Sequence, residues 1–213
     1  MSTLSSRVAS KLLEIKAIKL SPSQPFTWAS GLKSPIYCDN RIILSYPKIR
    51  DFIKEGFKSK IWAFGEADVI AGVATAGIAH GALLADLLDK PFIYVRSKSK
   101  GHGRQNLIEG EFKEGDRVLV IEDLISTGMS SMAACNALQE RGAKVIGALA
   151  IFSYGFEKAG RLFDQNKIPL DTLTNYRSLL AEALDTNYIS IKEKEMLEGW
   201  NKNPEAWSTN ITA

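Results

Sequence analysis

Cysteine is scarce in this chain: Cys38 and Cys135 are the only two among 213 residues. Two lone cysteines build neither a disulfide framework nor a metal-ligand spacing, which points to a reducing compartment. Long apolar runs are missing too. None approaches the roughly 18 residues of a membrane-spanning helix, so no membrane partner is expected. Residues 1–20 carry Arg7, Lys11, Glu14 and Lys16 at intervals and lack an uninterrupted apolar core, so no signal peptide is expected there. Net charge is small, at +3, and no helix-turn-helix pattern precedes the core, so nucleic acid is not an expected partner. There is no internal repeat and no low-complexity linker. The remaining composition is ordinary, with 45% hydrophobic and 24% charged residues, which suits a globular chain. A cytoplasmic enzyme or sensor fits these bounds.

The informative stretch is 118–131. Val118 to Ile121 read as a fully buried strand, closed by two adjacent carboxylates, Glu122 and Asp123. A short turn, Ser126-Thr127-Gly128, leads into a helix through Ala133, Ala134, Cys135, Ala137 and Leu138, with Arg141 in its last turn and Gly142 placed to cap it. Backbone amides at a helix start, aided by hydroxyls, make a phosphate cradle. Carboxylates beside a phosphate need their own partner, and a sugar cis-diol suits an acceptor-only group. A diol reader followed by a 5'-phosphate cradle describes a ribose 5-phosphate. The bland alternative is a turn whose acids only cap a helix. A Walker A loop is excluded, because Gly-x-x-x-x-Gly-Lys-Ser/Thr is absent. The stretch resembles the phosphoribosyl pyrophosphate (PRPP) signature of the type I phosphoribosyltransferases.

In chain order, Val8, Leu12 and Ile15 recur at helical spacing, with Ser5 or Ser6 as a cap. Residues 47–64 read as a helix. Asp68 to Val73 read as a buried strand, turning at Ala74-Thr75-Ala76-Gly77 into a helix from Ile78 to Leu88, on which His80 is structural. Ligands of open α/β sheets bind beyond the strands' C-terminal ends, so this turn and the 126–130 loop can face one ligand. Phe92 to Val95 form the next strand. It ends at Arg96 and opens into 97–106, which has no apolar side chain. Lys98, Lys100 and Arg104 give that stretch three positive charges without an acid, and Gly101 and Gly103 flank His102. Such a stretch suits a lid over a polyanion, the alternative being a basic surface hairpin. Lys144 to Phe152 add a strand. Beyond it, 157–166, 177–184 and 190–201 read as helices, 170–174 as extended, and the last dozen residues as frayed. Strands alternating with helices argue a parallel sheet with right-handed crossovers.

Residues 25–41 mix Phe26, Trp28 and Tyr37 with Ser-Gly and Lys-Ser-Pro turns, reading as a lobe of short strands. Aromatic faces beside a lysine suit a flat anionic ring, or a small apolar cluster with solvated turns. The pattern Phe-Thr-x-x-Ser-Gly-x-x-Ser-Pro, followed by an aromatic and Asn, is similar to the N-terminal lobe of orotate phosphoribosyltransferases. Where some members carry a lysine two residues after Phe-Thr, this chain has Ala29, and Lys33 is the candidate replacement. No role is carried over to Ser153-Tyr-Gly-Phe156, where relatives place an arginine.

The resemblance spans roughly residues 5–155. It implies an α/β fold, a central mostly parallel sheet flanked by helices, as one phosphoribosyltransferase domain over 1–213 with 1–45 as a base-binding lobe. It implies transfer of ribose 5-phosphate from PRPP to orotate, yielding orotidine 5'-monophosphate and pyrophosphate in pyrimidine synthesis. PRPP would be bound by Arg96, Lys100 and His102, by Glu122, Asp123, Leu124, Ile125, Ser126, Thr127, Gly128, Met129 and Ser130, and by Thr75, Ala76 and Gly77 at the pyrophosphate. Lys100, His102 and Asp123 are the catalytic candidates. Phe26, Lys33 and Ser126 are the orotate candidates. Mg²⁺ would be held through PRPP rather than by a protein cage. A homodimer is implied in which Arg96 and the lid serve the partner's site. A purine phosphoribosyltransferase and a PRPP-sensing regulator are the rival readings.

Overall fold

Val118, Leu119, Val120 and Ile121 are each fully buried, as a strand covered on both faces requires. They lie in a nine-residue strand of a six-stranded sheet. A computed structural model of the chain describes residues 3–28, 31–97 and 107–212, with the side chains of 210–212 excepted. The basic stretch holding Lys98, Lys100, His102 and Arg104 lies outside the described residues, as does Ala29.

The elements follow in chain order. They are α1 (Leu4–Glu14), β1 (Ile18–Leu20), β2 (Phe26–Thr27), β3 (Lys33–Ser34), β4 (Ile36–Cys38), α2 (Pro47–Lys60), β5 (Val69–Val73), α3 (Ala76–Leu88), β6 (Phe92–Val95) and β7 (Ile108–Glu109). After these come β8 (Arg117–Ile125), α4 (Met129–Glu140), β9 (Lys144–Ser153), α5 (Glu157–Gln165), β10 (Leu170–Asn175), α6 (Tyr176–Asp185), α7 (Ile191–Lys202) and α8 (Pro204–Thr212). Two compact units result, one of Met1–Ser45 with Thr174–Ala213, the other Tyr46–Leu173.

The sheet runs β10-β9-β8-β5-β6-β7. β8 pairs parallel with β5 and β9, β5 parallel with β6, and β7 closes the edge antiparallel on β6. One face of the 46–173 unit presents Val69, Ala71, Val73, Val118 and Val120 to Met132, Cys135 and Leu138 of α4 and Phe163 of α5. α3 packs on the other face. There Gly72 and Gly81 allow contact so close that a Cβ on Gly72 would lie 2.8 Å from the Gly77 carbonyl oxygen. At the far end of β8, Arg117 grips Asp68 through Nε at 2.9 Å and Nη2 at 2.7 Å, and its backbone amide adds a third bond. These bonds hold the Asp68 carboxyl well below the usual carboxylate range.

Three expectations need correction. The acid pair does not close β8: the strand continues to Ile125, because Glu122, Leu124 and Ile125 stay in register with Ala150, Phe152 and Ser153 of β9. The first helix is capped by Thr3, whose side chain accepts from the Ser6 amide, rather than by Ser5 or Ser6. Ser6 instead donates to Glu182 and Ser5 to Thr174. The C-terminal dozen is not frayed. Pro204 starts α8, and Asn203 Oδ1 accepts from the Ala206 amide at 3.0 Å, which is how a helix start is stabilised.

In the other unit, α1 packs on α6 and β1 pairs antiparallel with β4. β2 and β3 form a two-residue ribbon, Phe26 opposite Ser34 and Thr27 opposite Lys33.

Candidate active site

The site is built at the C-terminal end of β8. Gly128 takes φ +78° at the α4 N-cap, a conformation that favours glycine. A Cβ there would also lie 3.0 Å from the Phe163 ring. Gly128, at the N-cap, has no side chain with which to cap α4, and among the described residues the first amide to reach back is that of Met132, to the Gly128 carbonyl at 2.9 Å. The amides before it have no acceptor inside the helix. They point toward a partner outside it, at the positive end of the helix dipole. Ser126 and Thr127 are half-buried, and Met129 and Ser130 are exposed.

The second turn packs on β8 just before the acid pair. A Cβ on Gly77 would stand 2.5 Å from the Ile121 carbonyl oxygen and 3.4 Å from Glu122 Cα, so only a residue without a side chain lets α3 begin here. Thr75 is exposed, Ala76 half-buried, and α3 has no side-chain cap either. The Ala74–Thr75 peptide bond is cis. The start of α3 thus lies on β8, and neither helix is capped by the side chain of its own N-cap residue. A cavity of about 330 Å³ beside them is lined by Ala74, Arg96, Ser97, Met129 and Ser130, among others.

The two acids have different surroundings. Glu122 is 6% exposed. Its Oε2 accepts from Ser131 Oγ at 3.1 Å and its Oε1 from the Asp123 amide at 3.0 Å. Burial, then the adjacent Asp123 charge and a hydrogen bond to the Asp123 carboxylate, push the Glu122 carboxyl well above its ordinary value. Asp123 is half-buried. A carboxyl in so dry an environment, beside a second acid, favours its protonated form.

Other expected residues fall as follows. Leu124 is half-buried. Ile125 is 1% exposed and packed on Ala150 and Ala159, and its carbonyl accepts from the Tyr154 amide at 3.0 Å. A ligand at these two positions meets backbone at most on the Ile125 side. Arg96 pairs with Glu109 of β7 at 3.3 Å. In the other unit, Lys33 Nζ donates to Thr27 Oγ1 at 2.9 Å, and Phe26 lies against Tyr37 with centroids 5.7 Å apart. Lys100 and His102 lie outside the described residues. Sequence reasoning stopped the cradle at Ser130 and missed Ser131, which turns inward to Glu122. The only signal was its place one helical turn into α4.

A buried strand carrying an acid pair near its C-terminal end, with glycine-dependent turns opening two helices, defines a phosphoribosyltransferase, and residues 41–180 match the family model described as phosphoribosyl transferase domain. Within that class the chain belongs to the orotate phosphoribosyltransferase family. It is 54% identical over 206 residues to the orotate phosphoribosyltransferase of Listeria innocua, covering 96% of this chain and 99% of that one. It is 53% identical over 208 residues to that of Porphyromonas gingivalis, covering 97% and 99%. The crystal structure of the Aeropyrum pernix orotate phosphoribosyltransferase is similar at a TM-score of 0.75 and 28% identity, covering 86% of this chain and 99% of that one. The sheet order and flanking helices are the architecture that the sequence resemblance implied.

Proposed function

We propose that this enzyme transfers ribose 5-phosphate from PRPP to N1 of orotate, giving orotidine 5'-monophosphate and pyrophosphate, a step of pyrimidine nucleotide synthesis. The observation that carries the reading is the cavity lined both by Ala74, before α3, and by Met129 and Ser130, at the start of α4, two helices without a side-chain cap from their N-cap residues. One cradle suits the 5'-phosphate and the other the pyrophosphate, and an acceptor between them suits the ribose diol. In this reading Ser126 to Ser130 bind the 5'-phosphate, and Thr75, Ala76 and Gly77 bind the pyrophosphate. Asp123 takes the ribose hydroxyls and faces the positive charge that builds on the sugar as C1'–O breaks. Glu122 acts behind it.

Phe26, Lys33 and Ser126 recognise the base, the first two within the 1–45 lobe of what we take as one catalytic domain. The enzyme works as a homodimer, with Arg96, Lys100 and His102 completing the partner's site. His102 supplies a proton or hydrogen bond to the departing pyrophosphate. Catalysis is chiefly positioning and stabilisation of the leaving group. Mg²⁺ would be held through the pyrophosphate and ribose oxygens of PRPP rather than by a protein cage, as this hard, water-retaining ion prefers. When bound it neutralises pyrophosphate charge. Cys38 and the buried Cys135 are not joined in a disulfide, which supports a cytoplasmic setting.

The test is to mix protein, Mg²⁺, PRPP and each of orotate, adenine, guanine and uracil, and follow base consumption. Orotate alone should be consumed. Turnover of a purine without orotate turnover overturns the assignment.

A further inference from the structure

The Lys33 backbone amide donates to Ser208 Oγ at 2.8 Å, joining β3 to α8 across 175 positions of sequence. Ser208 is 7% exposed. The same ribbon is held at a second point. The Trp28 indole N–H donates to the Ile36 carbonyl at 3.2 Å, and the Trp28 ring meets Trp200 of α7 edge-on, with centroids 5.8 Å apart at 87°. Trp200 is fully buried and also packs on Tyr176, at 5.6 Å. The Tyr176 hydroxyl in turn donates to the Leu197 carbonyl at 3.0 Å. A ribbon of two residues per strand has no stability of its own, so its shape is set by what it packs on.

We propose that α7 and α8 set the geometry of the β2–β3 ribbon for base recognition, with Ser208 and Trp200 as positioning residues. This rests on the reading that Phe26 and Lys33 face orotate. Removing the Ser208 hydroxyl frees the Lys33 amide and lets the ribbon sample other shapes. The side chains on it then meet the base less often in the productive arrangement. The phosphate-binding turns belong to the other unit, so PRPP binding is left alone. The effect is a split between the two substrates, which a general loss of stability does not produce.

The experiment compares the parent with Ser208→Ala, Ser208→Thr and Trp200→Phe in steady-state assays with each substrate varied. Amide hydrogen exchange is followed at Lys33. Ser208→Ala should raise KM for orotate roughly threefold to tenfold, the scale of one neutral hydrogen bond. KM for PRPP and kcat should stay within about twofold, and Lys33 exchange should quicken. Ser208→Thr, which keeps the hydroxyl, should restore both readouts. Trp200→Phe should shift KM for orotate in the same direction with a smaller change. An unchanged KM for orotate, or equal rises for both substrates, overturns the proposal. If the parent itself fails to consume orotate, the functional reading has failed instead. The Lys33 exchange rate still decides the anchoring: no change in Ser208→Ala overturns it.

Discussion

Ser131 Oγ lies 3.1 Å from Glu122 Oε2, a hydrogen bond closed off inside the 46–173 unit, where Glu122 is 6% and Ser131 2% exposed. A serine on the first turn of α4 thus holds an acid of β8 across the intervening loop. The amides of that turn are left without a side-chain cap because Gly128, at the N-cap, has no side chain.

The buried acid gives the fold a pH dependence. Burial and Asp123 raise the Glu122 carboxyl in the folded chain, whereas in the unfolded chain it titrates near the ordinary value of about 4.3. The folded state therefore keeps a proton that the unfolded state releases. The stability it contributes is full below that ordinary value and is lost as pH rises through the raised one. Denaturant unfolding from about pH 5 to 8 should show stability falling with pH in the parent, and a flatter profile in Glu122→Gln. Equal slopes in the two proteins would mean that the pair holds no extra proton.

Asp123→Asn should damage use of PRPP while leaving the fold intact, because Asp123 is half-buried at the site rather than sealed in the core. A loss of about 10²–10³ in turnover is the usual scale for a group aimed at developing charge. Thermal unfolding within a few degrees of the parent should accompany it. Matching losses of stability and activity would favour a purely structural acid.

The apolar run 118–121 was legible because a strand buried on both faces has no polar alternative. Its continuation through Glu122 and Asp123 was not, since acids are poor strand formers and only the register with Ala150 and Phe152 of β9 carries the strand onward. The uncapped turn at Gly128 was legible from its neighbours. The inward turn of Ser131 was not, because nothing local separates it from Ser130. Helix α8 escaped notice for a related reason. Its start rests on Asn203, and its packing on β3 depends on a residue 175 positions away, which no window of sequence contains. The split of the chain into units that join Met1–Ser45 with Thr174–Ala213 is long-range in the same sense.

Two glycines predict opposite outcomes for one substitution. A methyl on Gly77 would sit 2.5 Å from the Ile121 carbonyl oxygen, a backbone atom that cannot swing aside, whereas one on Gly160 in α5 meets nothing within 4 Å. Gly77→Ala should destabilise by about 1–3 kcal/mol or more, as overpacking does, and should weaken PRPP use by parting the start of α3 from β8. Gly160→Ala should stabilise by roughly 0.4–1 kcal/mol through the unfolded chain. Urea midpoints measure both, and a neutral Gly77→Ala would show that the turn has room to spare.

The last expectation concerns sharing of the site between subunits. Arg96 sits at the end of β6, where its guanidinium meets Glu109 on the sheet edge. Asp123 sits on β8, with β5 between those two strands. If the stretch after Arg96 serves the partner's site, Lys100→Ala and Asp123→Asn damage different halves of each site. Each variant alone is nearly inactive. Mixed, dissociated and allowed to reassociate, about half the dimers pair the two variants. Each such dimer carries one doubly damaged site and one intact site, by the symmetry of an isologous pair. Roughly a quarter of parent activity should return. If the lysine serves its own subunit, every site keeps one lesion and the mixture stays as inactive as its parts.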